Sequence, residues 1–116
     1  MTVKELYEKV GGNYNDAIQR LMSEGLIKKI IVKLADDANF ANLLDAIDTD
    51  DTEKAFVATH TLKGVCANLS LDELANSFSE QCECFRAGDL ESGKAMMPEL
   101  KEKFETLLEG IKELDD

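Results

Sequence analysis

Apolar residues recur along this chain at intervals of three and four, segment after segment, and nowhere alternate one by one. That period gathers them on one face of a helix and provides no half-buried strand, which confines the chain to an all-α fold. Thr2-Val3-Lys4-Glu5 reads as a capping box opening a short helix that ends before Gly11-Gly12. Asn13 or Asn15 can cap a second segment carrying Ala17, Ile18, Leu21 and Met22. Ser23-Glu24-Gly25 interrupts it weakly before Leu26, Ile27, Ile30, Ile31 and Leu34 resume the pattern, which stops near Asp36-Asp37. Phe40, Leu43, Leu44 and Ile47 mark the next helix, and the acidic break Asp48-Thr49-Asp50-Asp51 offers N-caps for the one after it. That helix runs roughly from Thr52 to Leu69.

Ser70-Leu71-Asp72-Glu73 has the form of a second capping box, so a sharp turn and a new helix are expected there. Leu74, Phe78, Cys82 and Phe85 supply its stripe, and Gly88 ends it in a left-handed cap. Asp89 opens the last stretch, with Leu90, Met97, Leu100, Phe104, Leu107, Leu108 and Ile111. Pro98 must either kink that stretch or restart it as a first-turn residue. Short links between long amphipathic helices make antiparallel neighbours. The expected architecture is an up-down-up-down four-helix bundle with additional short N-terminal helices. Residues 1–35 form the N-terminal helices and 38–115 most of the bundle, within one domain spanning 1–116. Periodicity does not say which N-terminal segment completes it.

The only histidine, His60, lies in the middle of the segment from Thr52 to Leu69. On a helical wheel Ala55, Ala58, Leu62, Val65 and Leu69 form the apolar face, while His60, Lys63, Gly64 and Ala67 share another. A lone helical histidine is more often an ordinary surface residue, and a lysine three positions on is common. Gly64 is harder to set aside, because glycine in a helix interior costs about 1 kcal/mol relative to alanine. Open access to the imidazole is a reason to bear that cost. Neutral imidazole, with a reference pKa of about 6.5, is a good nucleophile near neutral pH. Lys63, one turn along, can stand as a point charge beside an anion on the ring.

Charge narrows the partners. The chain carries a formal net charge of −11, which disfavours nucleic acid and anionic membrane, since both call for basic surface. Between Thr52 and Leu71 the charges are only Glu53, Lys54 and Lys63, a net of +1, so the acidity lies elsewhere. No apolar run approaches the ~20 residues that span a bilayer, and no signal peptide precedes the charged start, so a cytoplasmic protein is expected. The three cysteines, Cys66, Cys82 and Cys84, are an odd number and read as reduced thiols. Cys82 and Cys84 point about 200° apart on a helix and make a poor metal pair; no metal site is expected. Cys66 and Cys82 fit core positions, as do Met96 and Met97.

The run His60-Thr61-Leu62-Lys63-Gly64, followed by Asn68-Leu69-Ser70-Leu71 and then Arg86-Ala87-Gly88-Asp89, resembles the histidine-containing phosphotransfer (HPt) domain family. The upstream Asp51-Thr52-Glu53-Lys54-Ala55-Phe56 and the downstream hairpin helix also fit, so the resemblance covers most of the chain. It implies that His60 is a phosphoacceptor, with Lys63 as charge partner of the phosphoryl group and Gly64 giving steric access. The expected function is a phosphorelay intermediate in two-component signal transduction. It would take phosphate from a sensor histidine kinase or a receiver-domain aspartate and hand it to another receiver. No phosphate-binding loop or glycine-rich kinase loop is visible, so the chain is expected to have no ATP site of its own and no cofactor. Mg²⁺ and the acidic pocket would come with the response-regulator receiver, and the protein itself would be a monomer.

Two departures stand out. Ser70 occupies a position where the family usually has glycine, and reads as a competent cap. Some members carry a glutamine on the following helix that contacts the phosphohistidine. An ungapped count puts Cys82 there, so the neighbouring Gln81 is left out of the site. The second class of function is an HPt-like interaction module that binds a kinase or receiver without carrying phosphate. The intact His60, Lys63 and Gly64 favour the carrier.

Overall fold

Eight segments close their backbone hydrogen bonds as α-helix in the computed structural model, which describes residues 1–115. They are α1 (Val3–Val10), α2 (Tyr14–Leu21), α3 (Glu24–Ala35), α4 (Asn39–Asp48), α5 (Thr52–Asn68), α6 (Asp72–Arg86), α7 (Leu90–Ala95) and α8 (Met97–Lys112). No strand occurs among the described residues. Local chemistry starts most of them. Thr2 and Glu5 exchange the two bonds of a capping box. Asn13, Ser23, Asp51 and Asp89 each accept a first-turn amide through the side chain. Each such cap contributes on the order of 1 kcal/mol. Pro98 falls in the first turn of α8 and restarts the chain as a helix after α7.

Helices α4, α5, α6 and α8 form the four-helix bundle. Three-residue links join α4 to α5 and α5 to α6, each packing against its predecessor, and α6 meets α8 across α7. Aromatic rings close the circuit: Phe40 of α4 stacks on Phe104 of α8 at 4.2 Å, and Phe78 of α6 meets Phe104 edge-on at 6.2 Å. Such pairs add about 0.5–1.5 kcal/mol each beyond the area they bury. Buried Ala55, Ala58, Leu62 and Cys66 turn the inner face of α5 into this core. Cys82 is also buried, Met97 is buried and Met96 half-buried.

The N-terminal helices attach along one side. α3 and α1 both lie against α8. α1 approaches closely enough that a Cβ at Gly110 would overlap the side chain of Leu6. Tyr7 donates its hydroxyl to the carbonyl of Leu69 at 2.7 Å, tying α1 to the end of α5. Buried residues from Val3 to Ile111 belong to one hydrophobic cluster. No helix among the described residues is long and apolar enough to cross a membrane.

Three local expectations are corrected. Ser23-Glu24-Gly25 is a full break, because Met22 adopts a left-handed conformation (φ 66°) and Ser23 caps a new helix. Leu26, on the apolar period, stays exposed. Most instructive is Ser70, which forms no capping box: Leu71 occupies the N-cap position of α6 without a side-chain bond. Ser70 is left-handed (φ 54°) and buried, and its hydroxyl donates to the Asp16 carboxylate of α2. A left-handed residue is what the chain needs to reverse between α5 and α6, and glycine would supply it without strain.

Candidate functional site

Helix α5 presents His60 at mid-length, opposite the faces it buries. Ala58, Thr59 and Leu62 are buried, while Val57, His60, Thr61, Gly64, Ala67 and Asn68 are exposed. Side chains bond to the backbone of this helix: Thr59 and Thr61 return their hydroxyls to carbonyls one turn back, and Asp51 caps the N-terminus. Neither imidazole nitrogen of His60 takes part in a hydrogen bond or ion pair among the described residues. Whichever nitrogen bears the lone pair is therefore open to an incoming electrophile.

Side chains on a helix lean toward its N-terminus, so each covers the turn before its own Cα. This explains the neighbours of His60. A side chain at position 64 would project back over the imidazole, and glycine leaves that approach clear. A Cβ built on Gly64 meets nothing within 4 Å, so packing inside the protein does not require glycine there. Lys63 stands one turn along and is half-buried. Among the described residues it makes no ion pair, whereas Lys54 on the same helix is committed to Asp45 and Arg86 to Glu83. Lys63 is thus the uncommitted cation beside the histidine.

His60 in turn leans on Phe56, with ring centroids 5.8 Å apart and planes inclined by 23°. The Arg86 guanidinium of α6 lies 5.1 Å from the centre of the Phe56 ring. Sequence reasoning assigned no role to either residue. The i, i+4 spacing of Phe56 and His60 was visible, but Arg86 reaches the site only through the α5–α6 hairpin. An apolar groove of about 380 Å³ runs alongside, lined by Thr52, Glu53, Phe56, Phe85 and Arg86. A second, of about 480 Å³, lies on the other flank of α5 beneath Leu21, Ile30, Val65 and Leu69.

Gln81 is buried, and its amide donates to the Gly93 carbonyl and the Met97 sulfur, away from the surface that exposes His60. Cys82 is equally buried. Cys66 is on the buried face of α5, where burial pushes its thiol up to about 12 and keeps it protonated and unreactive at neutral pH.

A family model described as Hpt domain matches residues 34–110, a stretch that holds α4, α5, α6, α7 and nearly all of α8. Comparison with curated proteins and with solved structures gives no match.

Proposed function

Because the chain belongs to the Hpt domain family, whose members act in phosphorelays, we propose that it is a relay intermediate carrying the phosphoryl group on His60. The observation that supports this most directly is the imidazole itself: exposed near the centre of a long helix and bordered by a bare Gly64 and by Lys63, with no bond to either ring nitrogen and no ion pair to that lysine among the described residues. Phosphoryl transfer asks mainly for in-line positioning and charge stabilisation, which is what such a surface provides. The ring nitrogen attacks the phosphorus of an aspartyl phosphate. An N–P bond forms as the acyl P–O bond breaks, and the electron pair leaves with the carboxylate. Lys63 offsets charge on the equatorial oxygens. The reverse attack by a second receiver's aspartate discharges the ring.

In this reading the partners are a response-regulator receiver domain and a sensor histidine kinase, and the receiver brings its own acidic pocket and Mg²⁺. The near-neutral strip around His60, in a chain of net charge −11, suits approach to such a pocket. Helices α1 and α2 and most of α3 lie outside the family match but share its core, which supports treating the whole chain as one domain.

The test is transfer from a receiver loaded with radiolabelled phosphate. The parent should acquire label, and His60→Gln should fold normally yet remain unlabelled, since an exposed position tolerates such a change within about 0.5 kcal/mol. Label retained by His60→Gln would place the acceptor elsewhere. A parent that binds the receiver but never takes label would make the protein an interaction module.

A further inference from the structure

We propose that Phe56 is a positioning residue for His60: its ring is the platform that sets the orientation of the imidazole, and Arg86 holds that platform in place. The inference rests on the phosphocarrier reading and adds to it a device for presenting the nucleophile.

An exposed histidine on a helix with glycine at i+4 has no side chain on that residue to hold it, and among the described residues nothing hydrogen-bonds to its nitrogens. Left alone, such a ring would divide its time among rotamers, and only some of them point a nitrogen outward for in-line attack. Phe56 removes that freedom from the N-terminal side. It is half-buried, packed against the core, and one turn before His60, where a helical side chain naturally leans. The two rings stack at 5.8 Å with a 23° inclination. Contacts of this kind favour one side-chain state about 2- to 10-fold over its competitors.

The platform has its own support. The Arg86 guanidinium lies 5.1 Å from the centre of Phe56, and its Nε is held by Glu83 at 3.2 Å. Arg86 comes from α6, so the stack joins the two helices of the hairpin beside the nucleophile. Stacking over Phe56 leaves the ring edges of His60 free, which is what attack through a ring nitrogen needs. The Arg86 cation also rests on the Phe56 ring and on Glu83 and makes no bond to the imidazole among the described residues. Lys63 and Arg86 therefore have separate tasks: Lys63 faces the phosphoryl oxygens, and Arg86 stabilises the surface on which the imidazole rests.

Two variants and two readouts test this in the full chain. Phe56→Leu keeps apolar volume but removes the ring, and Phe56→Tyr keeps the ring. By proton NMR, the His60 ring protons of the parent should show an aromatic ring-current shift that disappears in Phe56→Leu and persists in Phe56→Tyr. Transfer from a phosphorylated receiver should slow about 3- to 10-fold in Phe56→Leu and return to within about 2-fold of the parent in Phe56→Tyr. Arg86→Gln should give a smaller loss in the same direction, with a partly averaged ring-current shift. Parental transfer rates in Phe56→Leu, or a loss that Phe56→Tyr shares, would overturn the positioning role. A parent whose His60 protons show no ring-current shift would overturn the stack itself. Should the parent take no label at all, the carrier reading fails, while the NMR comparison still decides whether the stack exists.

Discussion

Gly64→Ala should make this protein more stable and worse at its proposed task. The position lies inside α5, thirteenth of seventeen residues, well clear of either cap. A methyl group there meets no atom within 4 Å, so neither strain nor overpacking opposes it. Alanine then recovers the helix propensity that glycine forgoes, about 0.8–1 kcal/mol. For a chain of 116 residues, an unfolding entropy of roughly 2.1 cal/mol/K per residue turns that gain into a rise in Tm of about 4 °C. The same methyl projects toward the N-terminus, over the approach to His60. A receiver aspartate must come within about 3–3.5 Å of the phosphorus, and misplacement by one ångström can cost on the order of 100-fold. A fall of about 10-fold or more in the transfer rate is expected. Calorimetry and a single-turnover transfer assay on the same preparation measure both. A destabilised Gly64→Ala would refute the open geometry beside the glycine. A stabilised variant with parental transfer would refute its role in access.

At Ser70, glycine should be more stable than alanine by about 1 kcal/mol in urea unfolding, because φ is 54° and only glycine takes that conformation freely. Both variants lose the hydroxyl bond to Asp16, so the comparison isolates the backbone, and an alanine variant equal to glycine would refute the strain argument. Stability should decline as pH rises above about 9. Burial raises the Cys66 thiol from 9.0 to about 12, and burial first, then proximity to Cys66, raises the Tyr7 phenol well above 10.0. Groups raised in the folded state contribute fully below their unfolded pKa and lose that contribution as pH climbs through the folded value. Chemical unfolding from pH 7 to 11 should show the decline, and Cys66→Ala with Tyr7→Phe should flatten it. Val57→Asp, at the 57%-exposed valine one turn from His60, should weaken transfer through like charge against an acidic receiver. A charge change at the exposed Glu109 of α8 should matter little, and equal effects in the paired assay would remove the basis for docking over α5.

Local interactions within a few residues were legible before any coordinates. The helical period and the capping box at Thr2 depend on neighbours three or four positions away, and the chain carries those neighbours with it; Asn13 and Asp51 stood among several candidate caps, and the first-turn place of Pro98 was one of two readings. The outward face of α5 was legible for the same reason: burying Ala55, Ala58, Leu62 and Cys66 on one side leaves His60, Gly64 and Ala67 on the other. What needed the tertiary structure was every pairing between residues far apart in the chain. Ser70 looked like a cap because Ser-x-x-Glu is a local pattern; its left-handed turn is held by Asp16, 54 positions away, which no local pattern contains. That α8 closes the bundle while the N-terminal helices only pack alongside it depends on Phe40 meeting Phe104, on Gly110 admitting Leu6 and on Tyr7 reaching Leu69. Arg86 comes to the Phe56 ring beside the histidine only because α6 folds back along α5. A helix's own periodicity sets which way its side chains face, but the partners they meet are set by how separate helices pack.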